Sequence, residues 1–253
     1  MCYSIRIFFH IAKIRGGYQR KTNLTKHDDV ISITMFVKYT CVLLSFLSVA
    51  NGHGSVRDPP ARNVLSNSDD CPDCLNAGGV SVMYNGVRSK ARYGVCGDPW
   101  NAKKDHEAGG KSAKGRIART YKSGSTITIK LSFSANHQGM MSFSICDLPD
   151  KRMSPSEERS LTSQRCFNKN VLRRADNGGV YSFLKGNEDK LTVKYKLPKG
   201  LKCKHCVLQW HWTTGNSCCP GNTQKKYCGP GVSKCFRYTV PEEWYNCSDI
   251  RIV

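Results

Sequence analysis

An all-β antiparallel sandwich with long disulfide-pinned loops is the fold class this sequence predicts. Three observations predict it: strand-period alternation recurs from residue 126 onward, Gly, Pro and Asn punctuate those segments, and twelve cysteines lie beyond residue 52. With 39% hydrophobic and 23% charged residues, the composition is that of an ordinary globular protein, which argues against disorder. About 200 residues commonly form one β domain.

The amino-terminal part reads as targeting sequence. Met35 to Gly52 combine Lys38, an apolar run from Tyr39 to Val49 and small residues at Ala50 and Gly52, the layout of a secretory signal peptide. The run is about half the ~20 residues that span a bilayer, so no membrane anchor is expected. The polar, basic stretch from Arg15 to Asp29 does not suit a signal peptide, and residues 1–34 are read as an upstream extension from an earlier start codon. The expected organisation is extension 1–34, signal peptide 35–52 and a single domain 53–253, secreted and monomeric.

Within that domain, His53 to about Gly124 is rich in Gly, Pro, Asn, Asp and Lys and lacks a helical period; it reads as long loops with a short helix or two. Ile127, Ile129, Leu131 and Phe133 then alternate with polar residues, as do Met141, Phe143 and Ile145, so two strands are expected as neighbours across a loop carrying His137. Further strands are expected at Leu191–Tyr195, Val207–Trp212 and Ser248–Ile252. Removing residues 1–52 leaves Cys71, Cys74, Cys96, Cys146, Cys166, Cys203, Cys206, Cys218, Cys219, Cys228, Cys235 and Cys247, an even set that reads as up to six disulfides of unspecified connectivity.

The full chain carries +20; residues 1–52 hold seven of its 39 basic and two of its 19 acidic groups, so 53–253 carries +15. That field favours acidic partners. No helix-turn-helix, zinc-finger or RNP-type signature points to nucleic acid, and a solvated basic surface is the default reading. Nor is there a serine-hydrolase elbow, a phosphate-binding loop or an HExxH motif.

The chemistry starts at His53. Cleavage after Gly52 would give this residue a free α-amine beside its imidazole, two nitrogen donors forming a chelate. The amine's ordinary pKa near 7.7 to 8.0 makes its neutral form accessible, and a metal would favour that form further. One more imidazole completes a three-nitrogen set that suits copper with open positions. His137, just past the first predicted strand, is the candidate.

The segment from His53 through Gly54, Val56, Pro59, Pro60, Ala61 and Arg62 resembles the HG-x-V-x-x-PPAR opening of lytic polysaccharide monooxygenases of auxiliary-activity family fifteen, related to type-four chitin-binding modules. The resemblance continues through Cys96-Gly97-Asp98, Ala135 to Gly139, Leu208-Gln209-Trp210, Thr214 to Ser217 and Glu242 to Ile250. It implies an immunoglobulin-like β-sandwich and a single copper ion in a histidine brace of His53 and His137. It also implies an axial aromatic from the last strand. Trp244 aligns there by register, whereas Tyr245 matches the family's residue type; both stay open, since neighbours on a strand face opposite sides. Ala135 matches a small residue that shapes access to the copper. The implied activity is oxidative cleavage of crystalline chitin, favoured over cellulose, using an external electron donor with hydrogen peroxide or dioxygen. A noncatalytic chitin- or copper-binding protein is the alternative, and a basic glycan-binding or cuticle protein a second.

Other residues have plainer expected fates. His106 is expected in solvent, and His211 on the strand face opposite Trp210 and Trp212. The Cys71–Cys74 and Cys203–Cys206 spacings suit zinc, yet an exported chain favours disulfides. Tyr84 and Tyr93 are expected to pack rather than stack on sugars, and the Asn246 sequon enters a strand.

Overall fold

The computed structural model describes residues 53–66, 71–87, 90–221 and 223–253; the extension, the signal peptide, Cys2 and Cys41 lie outside them. In chain order come β1 (His53–Asp58), short helices at Arg62–Leu65 and Gly79–Tyr84, then β2 (Arg119–Tyr121), β3 (Thr126–Ala135) and β4 (Gly139–Asp147). Helices at Pro155–Leu161 and Gln164–Phe167 precede β5 (Arg173–Arg174), β6 (Ser182–Leu184), β7 (Lys190–Lys196), β8 (Cys203–Thr213), a 3-10 turn at Lys225–Tyr227 and β9 (Glu243–Ile252). Two sheets form, ordered β1-β3-β7-β5 and β2-β9-β8-β4-β6. The ladders are antiparallel except for β2 against β9.

The strands β3, β4, β7 and β8 arise where the sequence predicts them, and β9 begins at Glu243, ahead of the expected Ser248. Ile127, Ile129, Leu131 and Phe133 of β3 all point inward and are buried. They meet Met141, Phe143 and Ile145 of β4 and Leu208, Trp210 and Trp212 of β8 in one cluster between the sheets. Trp210, Trp212 and Trp244 are the largest fully buried side chains. Burying roughly 150–250 Å² apiece stabilises the fold by at most about 4–6 kcal/mol each.

Three expectations need correction. β3 and β4 are not paired neighbours: β3 lies between β1 and β7, β4 between β8 and β6. The His137 loop therefore crosses from one sheet to the other. His53 to Asp58 is a strand rather than loop; its burial does not alternate, because Asp73 and β9 cover the side facing away from β3. His106 is buried, its Nδ1 2.7 Å from Asp98 Oδ1.

The loops and helices of residues 71–110 and 155–167 pack on the outer face of the five-stranded sheet. Val207, Phe167 and the Cys96–Cys247 and Cys146–Cys166 bridges share one cluster there, and Ala77, Met83, Tyr84 and Tyr245 another. Consequently β8 and β9 are buried on both faces. Arg62 is locked beneath this layer, its guanidinium 2.9 and 2.6 Å from the two oxygens of Asp249. Burial alone would raise the Asp249 carboxyl, but Arg62 and His205 hold it down at about 2.

All twelve cysteines beyond residue 52 are bridged: 71–74, 96–247, 146–166, 203–206, 218–235 and 219–228. Both CxxC spacings are thus disulfides. Asn246 is buried with its amide accepting from Val56 N at 3.0 Å, which removes it as a folded-state glycosylation site.

Candidate metal centre

His53 opens β1 at the edge of the four-stranded sheet, where it pairs with Ala135, two residues before His137. Gly54 follows because nothing larger fits: a Cβ there would lie 2.6 Å from the ring of Phe133. The strand is fastened by the loop that the Cys71–Cys74 bridge closes. Gly54 N donates to Asp73 O at 3.0 Å. The Asp73 carboxylate accepts from Ser55 Oγ at 2.5 Å, from Arg57 at 2.8 Å and from Ser134 Oγ at 3.3 Å. One acidic side chain therefore ties three residues of β1 and β3 together.

His137 sits in the turn between β3 and β4, which is fixed on several sides. Asn136 donates to Glu188 O and accepts from Gln138 N, both at 2.9 Å. Gly215 N donates to His137 O at 2.9 Å, and the Trp212 indole donates to Gln138 O at 2.8 Å. Gln138 and Gly139 both take left-handed backbone conformations, φ +58° and +93°. At Gly139 a Cβ would stand 2.1 Å from Thr213 O, so the chain reverses only with glycine there.

Only 8% of His137 is exposed. Its Nδ1 lies 2.8 Å from the Asn216 amide and 3.3 Å from Glu242 Oε2. Glu242 can only accept a hydrogen bond. With Nδ1 carrying the proton that Glu242 accepts, the Asn216 amide is assigned with Oδ1 toward the ring, where it too accepts from Nδ1–H. Both neighbours then place the proton on Nδ1, leaving the Nε2 lone pair for a metal. The Nε2 atom has no hydrogen-bond partner among the described residues. This donor set fits a copper ion.

The sulfurs of Cys71 and Cys74 and a ring nitrogen of His53 lie within 4.8 Å of one another. The two sulfurs are bonded to each other and offer no thiolate, so the nitrogens remain the candidate donors.

The two candidate aromatics face opposite ways. Trp244 lies in the core between the sheets, directly across β8 from Trp212 with ring centroids 5.1 Å apart. Tyr245 is on the outer side, stacked at 4.4 Å on both Tyr93 and His211, its hydroxyl donating to Glu243. Glu243 also accepts from Tyr84 at 2.9 Å and contacts His211 Nε2 at 2.9 Å. Burial would raise this carboxyl; His211 and the two hydroxyls hold it below its ordinary value. Burial and Glu243 push the Tyr245 hydroxyl well up. His211 faces away from Trp210 and Trp212, as the alternation predicts, and Tyr84 and Tyr93 pack rather than project.

Sequence reasoning missed Asp73, Asn216 and Glu242. Asp73 carried one usable signal, an acid inside a CxxC loop near His53. Asn216 and Glu242 lie 79 and 105 residues from His137; their one signal was that both fall inside segments carrying the family resemblance, which assigned them no role.

An antiparallel sandwich that brings two histidines to one edge, one of them oriented through Nδ1, is the frame of a nitrogen-ligated metalloprotein. A family model described as "Lytic polysaccharide mono-oxygenase, cellulose-degrading" matches residues 53–250, and the chain belongs to that family. It is also similar to a solved structure, "Lytic Polysaccharide Monooxygenase AA15 from Thermobia domestica in the Cu(I) State". The two are 31% identical, the match covers 79% of this chain and 98% of that one, and the TM-score is 0.61. No match is found among curated proteins. The protein is accordingly a copper-dependent monooxygenase of the polysaccharide-cleaving type, working with an external reductant and dioxygen or hydrogen peroxide. No helix among the described residues is long and apolar enough to cross a membrane.

Proposed function

We propose that the chain is exported, cut after Gly52 and active as a single domain 53–253 that oxidatively cleaves crystalline chitin. His53 would hold copper through its freed amine and imidazole, and His137 through Nε2. The observation that carries this reading is that Glu242 Oε2 and the Asn216 amide both face His137 Nδ1, beside a strand whose first residue is His53. Bound copper supplies one-electron chemistry toward dioxygen or peroxide. Asp73 holds the His53 strand, while Asn216 and Glu242 fix the His137 ring. Ala135, across from His53, leaves the approach to the ion open. Trp244 is the aromatic that we assign to the surroundings a copper ion would have, because it shares the inner face with Trp212, whose indole bonds the residue after His137.

Cellulose is the second reading, favoured by the description of the matching family model. Mass spectrometry of products from copper-loaded 53–253 on chitin and on cellulose, each with and without ascorbate, separates the two. Oxidised chitooligosaccharides that require ascorbate are expected. Oxidised cello-oligosaccharides alone would select cellulose, and oxidised products from neither, with chitin binding retained, would select the noncatalytic alternative. Amino-terminal sequencing of the secreted protein tests processing: any start other than His53 removes the chelating amine.

A further inference from the structure

The two sheets differ in how their outer faces are covered. Loops and helices bury that of the five-stranded sheet, whereas the outer face of β1-β3-β7-β5 carries a concentration of cations. Thr126, Thr128, Lys130 and Ser132 of β3 point outward, beside Lys190, Thr192, Lys194 and Lys196 of β7. Arg57 of β1 and Arg173 of β5 add a cation at each edge. Lys130 sits opposite Thr192, so Lys190 and Lys194 are its diagonal neighbours at roughly 7–8 Å. Arg173 and Lys196 are directly opposite one another, a like-charge pairing that weakens a sheet.

Two of these cations have acidic partners: Arg57 is 2.8 Å from Asp73 and Lys130 is 4.0 Å from Asp58. Asp58 is shared with Arg119 at 3.0 Å, and Asp176 is bound to Arg174. Among the described residues, Lys190, Lys194, Lys196 and Arg173 form no ion pair. Lysines on edge strands commonly guard against aggregation, but Lys130, Lys190 and Lys194 lie on the two central strands, which edge protection does not explain.

The face is also shaped. A depression of about 370 Å³ is lined by Arg57, Lys130, Ser132, Lys190 and Thr192. A second, about 250 Å³, adjoins it at Thr192 and continues to Lys194 and the Arg174–Asp176 ion pair. Crossing four strands, this track runs about 14 Å. Hydroxyls alternate with the cations along it, and no aromatic among its outward residues offers a base-stacking platform of the kind single-stranded nucleic acid uses.

We propose that the open face of the four-stranded sheet docks an anionic polysaccharide, one bearing sulfate or carboxylate groups. This surface is separate from the His53–His137 edge and does not depend on copper. The experiment measures binding of 53–253 to heparin, a sulfated polysaccharide, over a series of salt concentrations. The triple variant Lys190→Ser/Lys194→Ser/Lys196→Ser is compared with Lys114→Ser/Lys202→Ser/Lys225→Ser, which removes the same charge from exposed sites elsewhere. At about fivefold per cation, the face variant weakens binding about a hundredfold and flattens its salt dependence, while the control changes it by less than tenfold. Near-ultraviolet circular dichroism establishes that both variants are folded. Equal losses in the two variants would overturn the proposal, as would absence of heparin binding by the parent. Tighter binding of a DNA duplex, lost in the same face variant, would replace the polysaccharide with nucleic acid and overturn the choice of partner.

Discussion

Replacing Asp73 by Ala should cost the protein its copper before it costs the protein its fold. Asp73 accepts three side-chain hydrogen bonds, and their losses are unequal. Ser55 is fully buried, so its orphaned hydroxyl costs about 1–3 kcal/mol. The Arg57 pair is 39% exposed on the arginine side and contributes about 0–1 kcal/mol. Ser134 is exposed and turns to water. The sum, about 1–4 kcal/mol, is a minority of the 5–15 kcal/mol typical of a domain, and the Asp73 carbonyl still binds Gly54 N.

All of that loss falls on the strand that begins with His53. If copper must then order a loosened β1, its affinity falls by about 10–100-fold, the range seen when groups that orient metal ligands are removed. Calorimetry on 53–253 against a competing copper chelator measures the affinity, and thermal denaturation the fold. Arg57→Ala, which removes only the exposed partner, is expected to stay within threefold of the parent. Affinity of the Asp73→Ala protein within twofold of the parent would refute the clamp and the reasoning from Ser55.

Four further outcomes follow from the same geometry. Asn216→Asp should keep copper affinity while Asn216→Ala loses about tenfold or more, because an acceptor on Nδ1–H is what the ring needs; equal losses in calorimetry would place the proton on Nε2 instead. Because the Asp249 carboxyl lies below its ordinary value, its contribution is full above pH 4 and fades as pH falls toward about 2. Urea denaturation between pH 6 and pH 2.5 should show a loss of about 1.5–2 kcal/mol that is absent in Asp249→Asn. Opening the Cys96–Cys247 bridge, which joins residues 151 apart, with Cys96→Ser/Cys247→Ser should destabilise by up to about 5 kcal/mol in the chain-entropy account, read as a lower melting temperature. Gly139→Ala forces a Cβ against Thr213 O at positive φ, so it should cost about 1–3 kcal/mol or more and weaken copper binding by displacing His137; an unchanged melting temperature would contradict the turn geometry.

How much of this was legible depended on whether a feature is local. β3 and β7 each keep one face wet, so alternation marked them directly. β2, β5 and β6 are two or three residues long, too short to show a period. β1 was hidden because its second face is covered by Asp73 and Asn246, residues 16 to 190 positions away. His106 looked solvated in its run of charges, but Asp98 and the overlying loops bury it. The two copper-ligand candidates could be read because their chemistry is their own, an amine-imidazole chelate and an imidazole after a strand. The groups that orient them lay inside segments carrying the resemblance, but their role was not legible, since a hydrogen bond across 79 or 105 residues leaves no trace in spacing.

The choice between Trp244 and Tyr245 shows where local reasoning stops. Alternation established that they face opposite sides, yet both are almost fully buried, so burial could not tell inside from outside. Pairing of β8 with β9 decides it. Trp244 sits across from Trp212, and Tyr245 across from His211. Trp212 reaches the backbone of the His137 turn through its indole, whereas His211 reaches Glu243. The Tyr245 hydroxyl is thereby committed to a buried carboxylate on the outer side of the sheet. Among the described residues, the buried Trp244 indole N–H has no partner, at a cost of about 1–3 kcal/mol. A core selected for stability alone would favour phenylalanine there. Trp244→Phe is therefore expected to raise or preserve the melting temperature while changing the electron paramagnetic resonance of bound Cu(II), and an unchanged spectrum would remove Trp244 from the copper's surroundings.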